Sequence, residues 1–120
     1  MVTTTPISGM SEKIERFVER FRTHAATSEF ETRRTAPRFL MAEPVDVMID
    51  SDETPADVIL ASGRDISSNG IGIYANKPIR AGTEMIVSIE SGADRLLAKA
   101  VAVHSTMSVG LYKVGARFIV

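Results

Sequence analysis

The hydrophobic pattern of this sequence changes its period once, and that change restricts the possible folds more than any other feature. In residues 11–26, apolar side chains recur every three or four positions, as on one face of an α-helix. The stripe consists of Ile14, Phe17, Val18, Phe21 and Ala25. From residue 45 onward, apolar and polar residues alternate, which is typical of strands with one buried face. The sequence therefore predicts an amphipathic helix followed by a mainly β domain.

Turn-forming residues divide the alternating region into short segments. Strands are predicted over residues 45–49, 58–67, 84–90, 96–104 and 109–120, with a further one through Ile71 and Ile73. The pair Asn69-Gly70 predicts a type I′ hairpin turn, in which both central residues take positive φ. Five or six antiparallel strands with no second helix predict a small closed barrel, which leaves no exposed sheet edge.

Length and charge limit the function classes. A chain of 120 residues builds one core, and its net charge of −1 attracts neither nucleic acid polymers nor an anionic membrane. Because there is no cysteine and no long apolar run, we expect a cytoplasmic protein without disulfides. Residues 1–10 are mostly polar, with Pro6 and Gly9, and are expected to be disordered.

A cluster of three arginines precedes the first long strand: Arg33, Arg34 and Arg38. Pro37 favours an extended backbone before it, so Arg34 and Arg38 point to the same side, with Cα atoms about 13 Å apart. A guanidinium group can donate two hydrogen bonds at once to a phosphate or to the O6/N7 edge of guanine. The spacing therefore suits a ligand with several separated acceptors, although a solvated basic arm is the alternative.

The second motif is Asp65-Ile66-Ser67-Ser68-Asn69-Gly70. Asp65 and Ser67 are two positions apart on a predicted strand and so share one face. A carboxylate beside a hydroxyl accepts hydrogen bonds from the N1–H and N2–H₂ edge of guanine. An ordinary hairpin explains the same residues in isolation, but together with the arginines they favour an anionic guanine nucleotide.

Read as RxxxR followed by DxSxxG, the two motifs resemble the signature of the PilZ family, bacterial receptor domains for the second messenger cyclic di-GMP. The resemblance covers roughly residues 31–120 and implies a six-stranded antiparallel barrel at residues 39–120. It implies that Arg34 and Arg38 bind phosphates and guanine, while Asp65, Ser67 and Gly70 form the opposite wall. Ser68 and Asn69 lie within the same motif and are included as binding residues. Arg33 adds a third guanidinium that favours a stacked pair of ligand molecules.

We expect ligand occupancy to be relayed by an arm that becomes ordered on binding. Residues 27–38 are expected to be mobile without ligand, because three arginines close together repel and little apolar surface is available to bury, and to close over the ligand, moving the helix at 11–26 to which they are joined. That helix is expected to pack on its own barrel, with a dimer or partner contact as the alternative. The expected partners are cyclic di-GMP and an unidentified protein effector in motility, exopolysaccharide or virulence pathways, and the chain is expected to be a monomer or weak homodimer.

No motif supports catalysis, a cofactor or a metal site. The only candidate imidazole ligands, His24 and His104, have no acidic or histidine neighbour at ligand spacing. Two alternatives to a receptor remain. One is a PilZ-type interaction scaffold that does not bind the nucleotide. The other is a barrel that binds single-stranded nucleic acid, a function that calls for a basic groove with stacking aromatics, whereas aromatics are 6% here.

Overall fold

The computed structural model describes residues 6–22, 37–49 and 58–120, with side chains from residue 9 onward. The single helix in these residues, α1, spans Pro6–Glu19. The strands are β1 (Phe39–Leu40), β2 (Pro44–Ile49), β3 (Val58–Ile66), β4 (Gly70–Ala75), β5 (Glu84–Ser91), β6 (Asp94–Ser108) and β7 (Leu111–Phe118). Predictions that concern residues 1–5, 23–36 and 50–57 lie outside the described residues.

Six of the strands form a closed antiparallel barrel, as the sequence predicted. The strand order is β1-β3-β2-β5-β6-β7-β4, and β3 also pairs with β4, so β2, β5, β6, β7, β4 and β3 complete a ring. The two-residue strand β1 lies outside this ring and pairs with the end of β3, on the same edge as β2, with Phe39 opposite Ile66. This pairing places Arg38, the residue just before β1, beside the β3–β4 connection.

The helix begins earlier than predicted. Pro6 opens α1, and the predicted disorder of residues 6–10 is wrong. Proline suits the first helical position because its φ is already helical and its missing N–H would have no partner there. Met10, one turn before Ile14, extends the apolar stripe and packs against the core. At the other end, Arg20, Phe21 and Arg22 donate backbone hydrogen bonds to carbonyls three residues earlier, which tightens the last turn.

The apolar stripe of α1 is buried on the chain's own barrel. Ile14, Phe17, Val18 and Phe21 are at most 6% exposed and belong to the same core as the inward side chains of the strands. Burying a side chain of this size contributes about 1.5–3 kcal/mol, so the apolar packing stabilises the helix against the barrel. Arg20 adds a polar contact at the β5–β6 turn, where it binds the Asp94 carboxylate and the Ser91 carbonyl oxygen.

The β6–β7 hairpin is longer than predicted. β6 runs to Ser108, four residues beyond the predicted end at His104, and the chain reverses at Val109-Gly110. The register slips between Ala102 and His104, which marks a β-bulge. The alternation is interrupted there, so the sequence pattern alone ends the strand too early.

Candidate functional site

The last arginine of the first motif contacts the first residue of the second. Arg38 Nη1 donates a hydrogen bond to Asp65 Oδ1 at 2.6 Å, across 27 positions of sequence. The Arg38 side chain is 20% exposed and that of Asp65 is 12% exposed. A short pair in a partly desolvated position is among the stronger charge-assisted hydrogen bonds. The contact therefore brings the two motifs together in the structure.

Sequence reasoning missed a second guanidinium beside Asp65, that of Arg64. Arg64 Nη1 lies 3.6 Å from Asp65 Oδ2, so each oxygen of the carboxylate faces a different arginine. Simple alternation along β3 would place Arg64 and Asp65 on opposite faces. The β3–β4 register slips between Gly63 and Asp65, however, and this bulge turns Arg64 toward its neighbour. The sequence contains one signal of this bulge, Gly63, because glycine inside a strand often marks a bulge.

Gly72 provides the space that this cluster occupies. It lies opposite Asp65 on β4. A Cβ atom at this position would lie 2.5 Å from Arg64 Nη2 and 2.7 Å from Asp65 Oδ1. The chain's own charged side chains fill the space that a Cβ atom would need. Arg64 Nε is buried without a hydrogen-bond partner among the described residues.

The β3–β4 connection is built around the Ser67 side chain. Its Oγ accepts backbone hydrogen bonds from Asn69 and Gly70, both at 3.1 Å, and its own N–H donates to the Gly70 carbonyl at 2.9 Å. The Asn69 carbonyl accepts from the N–H of Phe118 at 2.8 Å. Ser67 is 3% exposed. Its hydroxyl oxygen therefore stabilises the turn, and Ser67 follows β3 instead of lying within it.

The predicted type I′ turn is wrong. Among the described residues, positive φ occurs at Val109, Gly82, Gly92 and Gly110, and at neither Asn69 nor Gly70. The side-chain hydrogen bonds of Ser67 replace the local geometry that Asn-Gly usually adopts. Gly70 is required for another reason, since a Cβ atom there would lie 2.3 Å from the backbone oxygen of Ala116.

The acidic flank of α1 forms one side of a cleft beside this turn. The cleft has a volume of about 170 Å³ and is lined by Glu15, Val18, Glu19, Arg22, Pro37, Phe39 and Ser68. Arg22 donates two hydrogen bonds to the Glu19 carboxylate, at 2.7 and 2.6 Å. These bonds lower the pKa of Glu19 and raise that of Arg22.

A larger groove, of about 610 Å³, lies on the other flank of α1, where Lys13, Arg16 and Arg20 face the β5–β6 hairpin. None of its described lining residues belongs to either motif. We therefore assign the candidate site to the Arg38–Asp65–Arg64 cluster and the Ser67 turn.

The predicted site residues are only partly brought together by the described structure. Arg38 and Asp65 are in contact, Ser68 lines the cleft, Asn69 is exposed and Gly70 is buried. Arg33 and Arg34 lie outside the described residues. Within the described part of the chain, no group of histidine, aspartate and glutamate side chains is arranged to hold a metal ion. In the same residues, no helix is long and apolar enough to cross a membrane.

Comparison with known proteins gives a family match and matches to solved structures. The family model described as PilZ domain matches residues 32–120. A solved structure, the PilZ domain of YcgR from Escherichia coli with c-di-GMP, superposes with a TM-score of 0.56 at 13% sequence identity. That match covers 72% of this chain and 78% of the other. No curated protein matches the sequence significantly.

Proposed function

This chain belongs to the PilZ domain family, and on that premise we propose that it is a receptor that binds cyclic di-GMP without reacting with it. The observation that carries the proposal is the Arg38–Asp65 contact, which joins the two motifs into one site. The YcgR domain, a structural relative, was solved with this nucleotide.

In the proposed complex, the charged groups of the cluster bind complementary parts of the ligand. Arg38 presents a planar donor fork to a phosphate or to the O6/N7 edge of guanine. The Asp65 carboxylate accepts from the N1–H and N2–H₂ edge of a guanine. Arg34 adds a second guanidinium for the phosphates, and Arg33 favours a stacked pair of ligand molecules.

Binding requires Arg38 to exchange partners. In the structure its Nη1 is occupied by the Asp65 carboxylate, so an incoming acceptor competes with Asp65 for this donor. Arg64 already faces the other carboxylate oxygen at 3.6 Å. We propose that Arg64 keeps the carboxylate paired when Arg38 turns to the ligand, because a partly buried charge left unpaired is costly.

Occupancy is proposed to reach a partner through α1. The segment that carries Arg33 and Arg34 joins Arg38 to the helix, whose acidic Glu15 and Glu19 line the cleft beside Ser68. Ligand phosphates would draw the arm toward the cluster and repel this acidic flank. The helix would then shift on the barrel and change the surface offered to an unidentified effector in motility, exopolysaccharide or virulence control.

Isothermal titration calorimetry with cyclic di-GMP tests the proposal, with GTP as the control ligand. We expect saturable binding of cyclic di-GMP and no response to GTP. A stoichiometry of two ligand molecules per chain would support the role proposed for Arg33. No heat at concentrations where a micromolar complex is detected would reject the receptor and favour an interaction scaffold instead.

Arg64→Ala is expected to weaken cyclic di-GMP binding about tenfold. The change removes one positive charge from the site and leaves Asp65 to hold Arg38, so part of the proposed contact between Arg38 and the ligand is lost, and such a charge-assisted hydrogen bond contributes about 1.5–3 kcal/mol. Calorimetry measures the loss. Arg95→Ala is the matched control, because Arg95 is exposed and pairs with Glu90 in the β5–β6 hairpin. Equal affinities of the two variants for cyclic di-GMP would show that Arg64 does not contribute to binding.

A further inference from the structure

One edge of strand β6 has no pairing partner among residues 6–22, 37–49 and 58–120, at the end of the barrel away from the proposed nucleotide site. Its pairing with β5 ends where Val101 lies opposite Glu84. Ala102 still exchanges hydrogen bonds with Gly82 and Thr83. Residues 104–108 pair with β7 along one edge, Val103 is the extra residue of the β-bulge, and no described residue pairs with the other edge of residues 103–108. This edge offers roughly 20 Å of free backbone donors and acceptors.

The free edge lacks the usual protection against strand pairing. Natural edge strands carry charged side chains or proline, or are covered by other elements. Residues 103–108 contain neither proline nor any Lys, Arg, Asp or Glu, and His104 is their only titratable residue. The nearest charged side chain in the hairpin, Lys113, lies on β7, on the paired side of β6. Within the part of the chain that the structure describes, nothing covers this edge or prevents another strand from pairing with it.

The end of the hairpin is apolar and conformationally strained. Val109 has φ of 34° and its side chain is fully exposed. A β-branched residue is a genuine outlier in this region, where Asn or Gly is favoured in a hairpin turn. Met107 is 70% exposed, and Val103, at the base of the free edge, is 52% exposed. Exposed apolar residues thus occupy both ends of the edge.

We propose that this edge pairs with the same edge of a second copy of the chain, forming a two-fold symmetric dimer with one continuous sheet. Free backbone groups select an extended strand as the occupant. Antiparallel pairing of two identical edges brings the hairpin tip of each copy toward Val103 of the other, so the apolar ends cover each other. The uncharged sequence of the edge allows this self-association without repulsion.

Sedimentation velocity over a range of protein concentrations, without nucleotide, tests the dimer. The wild type is expected to shift from monomer to dimer as concentration rises, whereas Met107→Lys is expected to remain monomeric because it places two like charges along the shared edge. Leu60→Lys is the matched control. Leu60 is 62% exposed, but it lies on β3, a strand that pairs with β2 on one edge and with β4 on the other. A wild type that stays monomeric throughout, or association lost in Leu60→Lys alone, would overturn the proposal.

A second variant separates association from folding. Val109→Asn relieves the positive φ and is expected to raise Tm by a few degrees, while removing an apolar contact and weakening the dimer several-fold. Thermal unfolding monitored by circular dichroism and sedimentation on the same samples give the two values. Unchanged dimerisation in both Val109→Asn and Met107→Lys would contradict an interface at this edge.

Discussion

Arg38→Ala is expected to weaken cyclic di-GMP binding by about one to two orders of magnitude, the largest effect of any single side-chain truncation at the site. The estimate follows from the loss of a bidentate charge-assisted contact, at about 1.5–3 kcal/mol. The effect on folding is expected to be smaller. Arg38 precedes the barrel ring, and Asp65, its partner, still faces Arg64 after the change. Calorimetry gives the affinity, and urea unfolding gives the stability.

Arg38→Lys tests whether charge or geometry matters at this position. Lysine keeps the positive charge but lacks the planar donor fork, so only part of the lost affinity is expected to return. Full recovery would mean that Arg38 acts as a point charge. Wild-type affinity in Arg38→Ala would show that the Arg38–Asp65 pair is structural and that the ligand does not bind at this cluster.

The architecture was predictable because it depends on periodicity over many residues. The alternation along β2, β3 and β5 identifies the buried face of each strand, and one helical stripe identifies α1. The helix start was misplaced because Pro6, Ser8 and Gly9 read as a flexible terminus. In the structure, Pro6 is the first helical residue and Met10 continues the buried stripe.

The site was predictable at the level of motifs and less so at the level of atoms. The motifs indicated that Arg38 and Asp65 belong together, and the two side chains are in contact. The turn type failed because Ser67 Oγ and the backbone of Phe118 determine the conformation at Asn69, and the second of these is a tertiary contact. Arg64 was missed because a bulge changes its direction, and a period-two pattern does not include bulges.

Gly70→Ala is expected to destabilise the protein by about 3 kcal/mol or more, at the upper end of what an overpacked site costs. The added Cβ would lie 2.3 Å from the backbone oxygen of Ala116 and 3.4 Å from Cα of Arg117. Both belong to the neighbouring strand β7, so no side chain can rotate away to make room. Strands β4 and β7 would have to separate where Gly70 pairs with Arg117. Urea unfolding measures the loss.

Gly9→Ala is the matched control, because the same change is expected to have the opposite sign. Gly9 lies within α1, and a Cβ there would meet no atom within 4 Å. Alanine in a helix interior is about 0.5–1 kcal/mol more favourable than glycine, so this variant should be more stable than the wild type. If Gly70→Ala instead kept wild-type stability and lost only nucleotide affinity, the final glycine of the motif would serve the ligand and not the pairing of β4 with β7.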